Sequence, residues 1–187
     1  MTKIRLTKTE AACRQIDAAI RLFFADEDVV PIHTILMAAF RILRDLAKKS
    51  GDSYMERVID QNLIPEGREK FWSVIHGFST FLKHADRDPD FVHDGVDETI
   101  NEPIAFIAIL YYIDLGNKHT PEMLAFQSWF SVLHPEFVLS TPNPRLKELL
   151  TTIGADIKQL SRDEQLEMGQ NLITWARDAI DGQRRNT

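Results

Sequence analysis

The chain has 187 residues, 44% of them hydrophobic and 9% aromatic, enough to build a buried core without help from a metal or a disulfide. Its formal charge of −6 argues against a dedicated nucleic-acid binder, because phosphate backbones are gripped by clustered Lys and Arg. The single cysteine, Cys13, excludes an internal disulfide and fits a reducing compartment; no His or second Cys lies beside it to activate the thiol.

MTKIRLTKTE is basic but lacks the apolar core of a secretory signal. No apolar run reaches the roughly 20 residues of a membrane span. A cytoplasmic location and no membrane partner are therefore expected.

The first predicted helix opens on Thr7-Lys8-Thr9-Glu10, a capping box in which a Thr hydroxyl takes a free backbone N–H while Glu10 reaches back. Ala12, Ile16, Ala19, Ile20 and Phe23 mark its apolar face. After the acidic turn Asp26-Glu27-Asp28, Pro31 stands in the first turn of a second helix running to Lys49, with Ile32, Leu36, Ala39, Leu43 and Leu46 as its stripe and Gly51 as its stop. Arg41, Arg44, Lys48 and Lys49 on this helix form a dense basic group, read as cations favoured by the negative end of the helix dipole. Arg184 and Arg185 are read in the same way. A short helix over Ser53 to Asn62 follows, and Pro65 opens the next.

That next helix carries FWSVIHGFSTFL, twelve residues without a charge. At 100° per residue Phe71, Val74, Ile75, Phe78, Phe81, Leu82 and Ala85 fall within about 60° of one direction, a core stripe. The other side, Trp72, Ser73, His76, Gly77 and Thr80, is small or uncharged, which predicts a second covering layer or a subunit interface, with a homodimer as the partner. Asp86 to Glu98 reads as an acidic loop broken by Pro89 and Gly95. A helix over Thr99 to Leu115 is wholly apolar from Ile104 to Ile113, too short for a bilayer and suited to a core. Thr120 before Pro121 starts another helix, with Leu124, Trp129, Phe130 and Leu133 as anchors. The prolines at 142 and 144 mark a linker, followed by helices over Leu146 to Ile153 and Arg162 to Ile180, the last capped by Ser161 and Glu164.

Strand alternation, glycine-rich phosphate loops and solenoid repeats are all missing from the sequence. The prediction is an all-α fold of seven or eight helices forming one domain over residues 1–187, with residues 1–139 as a main bundle and 145–187 as a C-terminal helical hairpin. No motif implies a cofactor.

Three constellations could carry chemistry. His84, Asp86, Asp88, Asp90, His93 and Asp94 are the ligand types of a metal or acid–base site. Asp86, Asp88, Asp90 and Asp97 also half-match a calcium loop, against which Phe91 stands where Gly is needed and Pro89 stiffens the middle. As an ordinary acidic loop, the same residues make turns and cap the next helix. Secondly, Arg87 to His93 has the Arg-x(4–6)-His spacing of HEPN ribonucleases, a family of small helical domains. The resemblance implies His93, or His84 in its place, as general acid or base, and Arg87 stabilising a phosphate oxyanion. With thirteen Arg and six His, one such spacing is expected by chance. Thirdly, His33, Asp45, His76 and Glu102 could line a helical pocket, but the Glu-x-x-His pairs of a di-metal bundle are missing, and a hydrogen-bonded structural role is expected of His76.

FLKHADRDPD, together with ILRDLAKKSG upstream and FQSWFSVLHPEF downstream, resembles a family of small bacterial helical proteins in which a phrase similar to NFFKHADRDPD recurs. The resemblance spans Thr9 to Phe137. It implies a bacterial all-helical protein and assigns no activity; Ser79-Thr80 stands where the family phrase has Ala-Asn. The leading expectation is a non-enzymatic protein that acts by association, supported also by the surplus of large apolar residues at Trp72, Trp129, Phe130 and Phe137. Ribonuclease chemistry and metal binding are the alternatives.

Overall fold

The computed structural model describes residues 3–62, 65–84, 86, 89–135 and 152–185, without the side chains at 62, 65–68, 70, 71, 74 and 180–185. Among them it is all-helical, with eight helices and no strand. These are α1 (Lys8–Phe24), α2 (Val29–Ser50), α3 (Tyr54–Asn62), α4 (Pro65–Phe81), α5 (Asn101–Asp114), α6 (Pro121–Leu133), α7 (its described part residues 152–157) and α8 (Arg162–Arg185). No described helix is long and apolar enough to cross a membrane.

The chain divides into two compact units. The first is Met1–Ala19 with Val29–Lys118, and the second is Ile20–Asp28 with His119–Thr187. Residues 152–185 thus share a unit with α6 and the end of α1, and the division falls at 118/119. The expected linker at 139–145, like Phe137 and the start of the helix expected at 146, lies outside the described residues.

In the first unit α2 packs chiefly against α5, and α3 and α4 are added to this pair. The stripe of α2 is buried at Ile32, Leu36, Ala39, Leu43 and Ala47, every three or four residues, with Phe40 buried beside it; Leu46, expected in the stripe, is only half-buried. Apolar all round, α5 buries Ile104, Ala105, Phe106, Ala108, Ile109 and Tyr111, as the core helix its sequence predicts. Its last residue holds α3 from a distance. Asp114 accepts from the Ser53 hydroxyl (2.6 Å) and from the amides of Tyr54 (3.1 Å) and Met55 (3.2 Å), so the orphan donors at the start of α3 are satisfied.

The expected caps form. Thr7 Oγ1 accepts from Glu10 N (3.1 Å) while Glu10 accepts from Thr7 N (2.8 Å). Gly51 takes the left-handed conformation (φ 75°) that stops α2.

In the second unit α6 packs against α8. Phe23, Phe24, Phe126 and Trp129 form an edge-to-face cluster, with Trp129 5.3 Å from Phe23 and 5.5 Å from Phe24 between ring centroids. The Trp129 indole N–H donates to the Gln165 carbonyl (2.8 Å), which satisfies its only polar atom. Glu122, buried beside this cluster, binds Arg21 (2.9 Å) and Arg177 (2.5 Å). Burial pushes its carboxyl up, but Arg177, a backbone hydrogen bond and Arg21 together more than offset that and hold it below its usual range. Thr120 and Ser161 cap α6 and α8 as expected. Leu124 does not anchor α6: it is exposed, because it lies about 140° around the helix from Trp129 at 100° per residue. The α7 segment meets α6 backbone to backbone, where a Cβ on Gly154 would lie 2.2 Å from the Val132 carbonyl oxygen, so only glycine fits.

Candidate functional site

The uncharged side of α4 is two faces rather than one. At 100° per residue Trp72, His76, Ser79 and Lys83 share a side, and Ser73, Gly77 and Thr80 share the next. On the core side of α4, Ile75 and Phe78 are buried and Phe81 and Leu82 half-buried; the side chains at 71 and 74, and residue 85, lie outside the described residues.

The first of these faces turns to α2. Trp72 and His76 stack at 5.9 Å, and both lie 6.1 Å from the Phe40 ring. The Arg44 guanidinium sits 3.3 Å over the Trp72 ring while its Nε donates to Glu56 (3.0 Å), so its charge is compensated from two sides. Glu56 also accepts from the buried Tyr111 hydroxyl. Beside this stack, Phe40, Arg41, Arg44, Asp45 and His76 line a cavity of about 240 Å³.

The electrostatics of that cavity are one-sided. Burial, then Arg41, Arg44, Lys48 and Lys83, hold the His76 imidazole below its usual range. Burial and Arg41 likewise lower Lys83, whose ammonium donates to the buried Ser79 hydroxyl (3.0 Å). His76 Nδ1 is buried with no hydrogen-bond partner, contrary to the hydrogen-bonded role expected from sequence.

The other predicted residues lie elsewhere. His33 is fully buried; its Nδ1 donates to Asn101 Oδ1 (3.0 Å), Asn101 donates to the Val29 carbonyl (3.0 Å), and the ring packs on Phe78. Glu102 is buried on α5. Neither lines the cavity that holds His76 and Asp45. His84 Nδ1 lies 3.9 Å from Asp86, beyond hydrogen-bond range. His93 packs against Phe78 and Phe81 and donates to the Gly95 carbonyl (3.1 Å). Asp90 and Asp94 are exposed. Asp97 accepts from the Thr99 hydroxyl (2.7 Å) and amide (2.8 Å), a turn made just before α5 that holds its carboxyl below the usual range. Arg87 and Asp88 lie outside the described residues. Among the described residues no three His, Cys, Asp or Glu side chains are grouped to hold a metal ion. Cys13 donates weakly to Asp17 (4.0 Å), a neighbour that disfavours a thiolate.

No family model, curated protein or solved structure matches this chain. The geometry of the residues themselves therefore carries the functional reading. Sequence reasoning set Asp45 of α2 beside His76 as candidate pocket residues, and both line this cavity; the basic group on α2 it read only as cations favoured by the helix dipole, apart from that pocket. The basic group and His76 are 27 residues apart at the nearest, Lys49 to His76, and no spacing rule links two helices.

The buried His33 makes stability depend on pH. Burial lowers its pKa, with Lys83 acting in the same direction and the Asn101 hydrogen bond opposing them. Because the folded imidazole resists a proton that the unfolded one accepts, stability is full above the ordinary value of 6.5 and falls as pH drops through and below it. His76 contributes with the same sign. His33→Gln keeps a donor for Asn101 and removes one titration. Urea unfolding at about pH 7.5 and about pH 5.5 is expected to show a smaller loss on acidification in this variant than in the wild type; an equal loss would remove the assignment.

Proposed function

We propose that this protein works by association with a second copy of itself, through the outward face of α4 and the aromatic segment beside it. The observation that carries the reading is a set of exposed small and apolar side chains close together in sequence. Ser73 and Gly77 are exposed, Thr80 is half-buried, and next to them Phe81 packs on Phe91, which is 55% exposed, with Val92 at 72%. Large apolar groups left in water beside small ones are what an interface core covers. In a two-fold dimer the same patch meets itself, and small and apolar side chains at its centre can do so without like-charge repulsion. Trp72 and His76, which face α2, stand outside this patch. Trp129 and Phe130 are core residues of the second unit and lend it no support. A bacterial, cytoplasmic setting accompanies this reading, from the resemblance and the lone cysteine.

Gly77 gives a clean test. A Cβ there meets nothing within 4 Å, and replacing a helical glycine favours the helix, so Gly77→Glu retains the fold. Light scattering across micromolar concentrations is expected to give a dimer for the wild type and a monomer for Gly77→Glu, with unchanged circular dichroism. A wild type that is monomeric throughout overturns the proposal.

A further inference from the structure

The cavity between α2 and α4 is independent of that outward face and has a chemistry of its own. Its cations outnumber the carboxylates that could neutralise them. Glu56 compensates Arg44. Arg41 and Lys48 have no ion-pair partner among the described residues, and Lys83 is bonded to a neutral hydroxyl. Arg41 stands one turn before Arg44 and Asp45 on α2 and Lys48 one turn after them; Lys83 lies two turns beyond His76 along the α4 side of the chain. All three bear on His76, and Arg41 lines the cavity itself. The opposing charge is Asp45 at the cavity wall.

We propose that this cavity binds a compact, hydroxyl-bearing phosphate monoester, such as a sugar phosphate, with Arg41 on the phosphate, the exposed Lys48 and Lys83 adding positive field from outside the lining, and Asp45 on a ligand hydroxyl. Three observations select that class. Unpaired cations around a partly desolvated site favour an anion, and Arg41 supplies the planar fork that matches phosphate oxygens. At about 240 Å³ the cavity is smaller than the pockets that take drug-sized ligands, so it admits a phosphate and a few carbons. A carboxylate in the wall repels a bare phosphate but accepts from a hydroxyl, which favours the ester over the inorganic ion. His76 adds an imidazole to the wall, which can donate or accept a hydrogen bond according to its tautomer. The Phe40 ring offers an apolar wall for the carbon skeleton. A nucleic acid, by contrast, needs a long basic track rather than one small recess.

The test uses ribose 5-phosphate, inorganic phosphate and ribose as probes in calorimetric titrations, with the His76 ring resonances followed by NMR. Ribose 5-phosphate is expected to bind more tightly than phosphate, ribose to leave the protein unchanged, and the His76 resonances to move on binding. Arg41→Ala, which breaks no internal ion pair, should weaken the ester at least about tenfold, and Lys48→Ala, outside the lining, by less, both at an unchanged thermal midpoint. Asp45→Asn should weaken the ester and strengthen phosphate. The proposal is overturned if ribose 5-phosphate does not bind, if Arg41→Ala binds it as the wild type does, or if a single-stranded oligonucleotide shifts His76 where the ester does not.

Discussion

Gly169→Ala lowers stability by about 3 kcal/mol, at the upper end of the cost of overpacking a core. In an open helix the same change gains about 1 kcal/mol, because alanine loses less backbone entropy than glycine on folding. On α8 the sign reverses. A Cβ on Gly169 would lie 2.0 Å from Phe24 Cε1 and 2.2 Å from Cδ1, far inside van der Waals contact. The ring has nowhere to move: Phe24 is 1% exposed, caged by Phe23, Phe126 and Trp129 at 5.4 to 5.9 Å, and its carbonyl accepts from Gln170. Urea unfolding should show a lower midpoint at unchanged slope. Phe24→Leu removes the ring edge that the new methyl meets, so the double variant should lose less than the sum of the two single changes. Strict additivity, or a stabilised Gly169→Ala, would show that the two helices do not approach this closely.

The same glycine shows where the sequence stops being readable. Caps are local, and Thr7 with Glu10, Thr120 with Met123, and Ser161 with Glu164 close as their spacing predicts. So is the composition of α5, whose apolar run can only be a core helix. Gly169, however, looks like a helix-weakening residue until Phe24, from the far end of the chain, is placed against it. Asp114 reads as a helix-end carboxylate with an unfavourable dipole term, yet it caps α3 from about 60 residues away. Both depend on tertiary approach.

Only Asp45 and His76 of the candidate site were legible as pocket residues in the sequence, for the same reason. Lys48 and Lys49 do lie in the last turn of α2, as cations near a helix C-terminus should. Arg41 and Arg44 lie further in, and what decides their role is the face that α4 turns toward them. In the charged loop after α4, ligand types do cluster in sequence. Its described side chains are instead exposed, or engaged in turns and aromatic contacts, as Asp90, Asp97 and His93 illustrate.

Glu56→Ala costs about 3 kcal/mol, through two orphaned partners at once. Glu56 Oε1 accepts from both Arg44 and the Tyr111 hydroxyl. Tyr111 is fully buried, and burial first, then Glu56, pushes its phenol well above the usual range, so it stays protonated and needs an acceptor. Arg44 is only 16% exposed at its side chain and would keep Trp72 but lose its counter-charge. Tyr111→Phe alone should cost about 1 kcal/mol, since Glu56 retains Arg44. In the double variant the buried hydroxyl that the first change orphaned is gone, so the combined loss should be smaller than the sum by about 1 kcal/mol. A urea-unfolding cycle measures that coupling, and a value near zero would mean that Glu56 does not join α3 to α5. The cavity should register the change too. With Glu56 removed, Arg44 is no longer held over Trp72 from both sides, and the wall it forms with Arg41 and His76 loses its fixed geometry. Ribose 5-phosphate affinity should then fall in Glu56→Ala although net positive charge at the site has risen, an outcome that separates a shaped site from simple charge attraction.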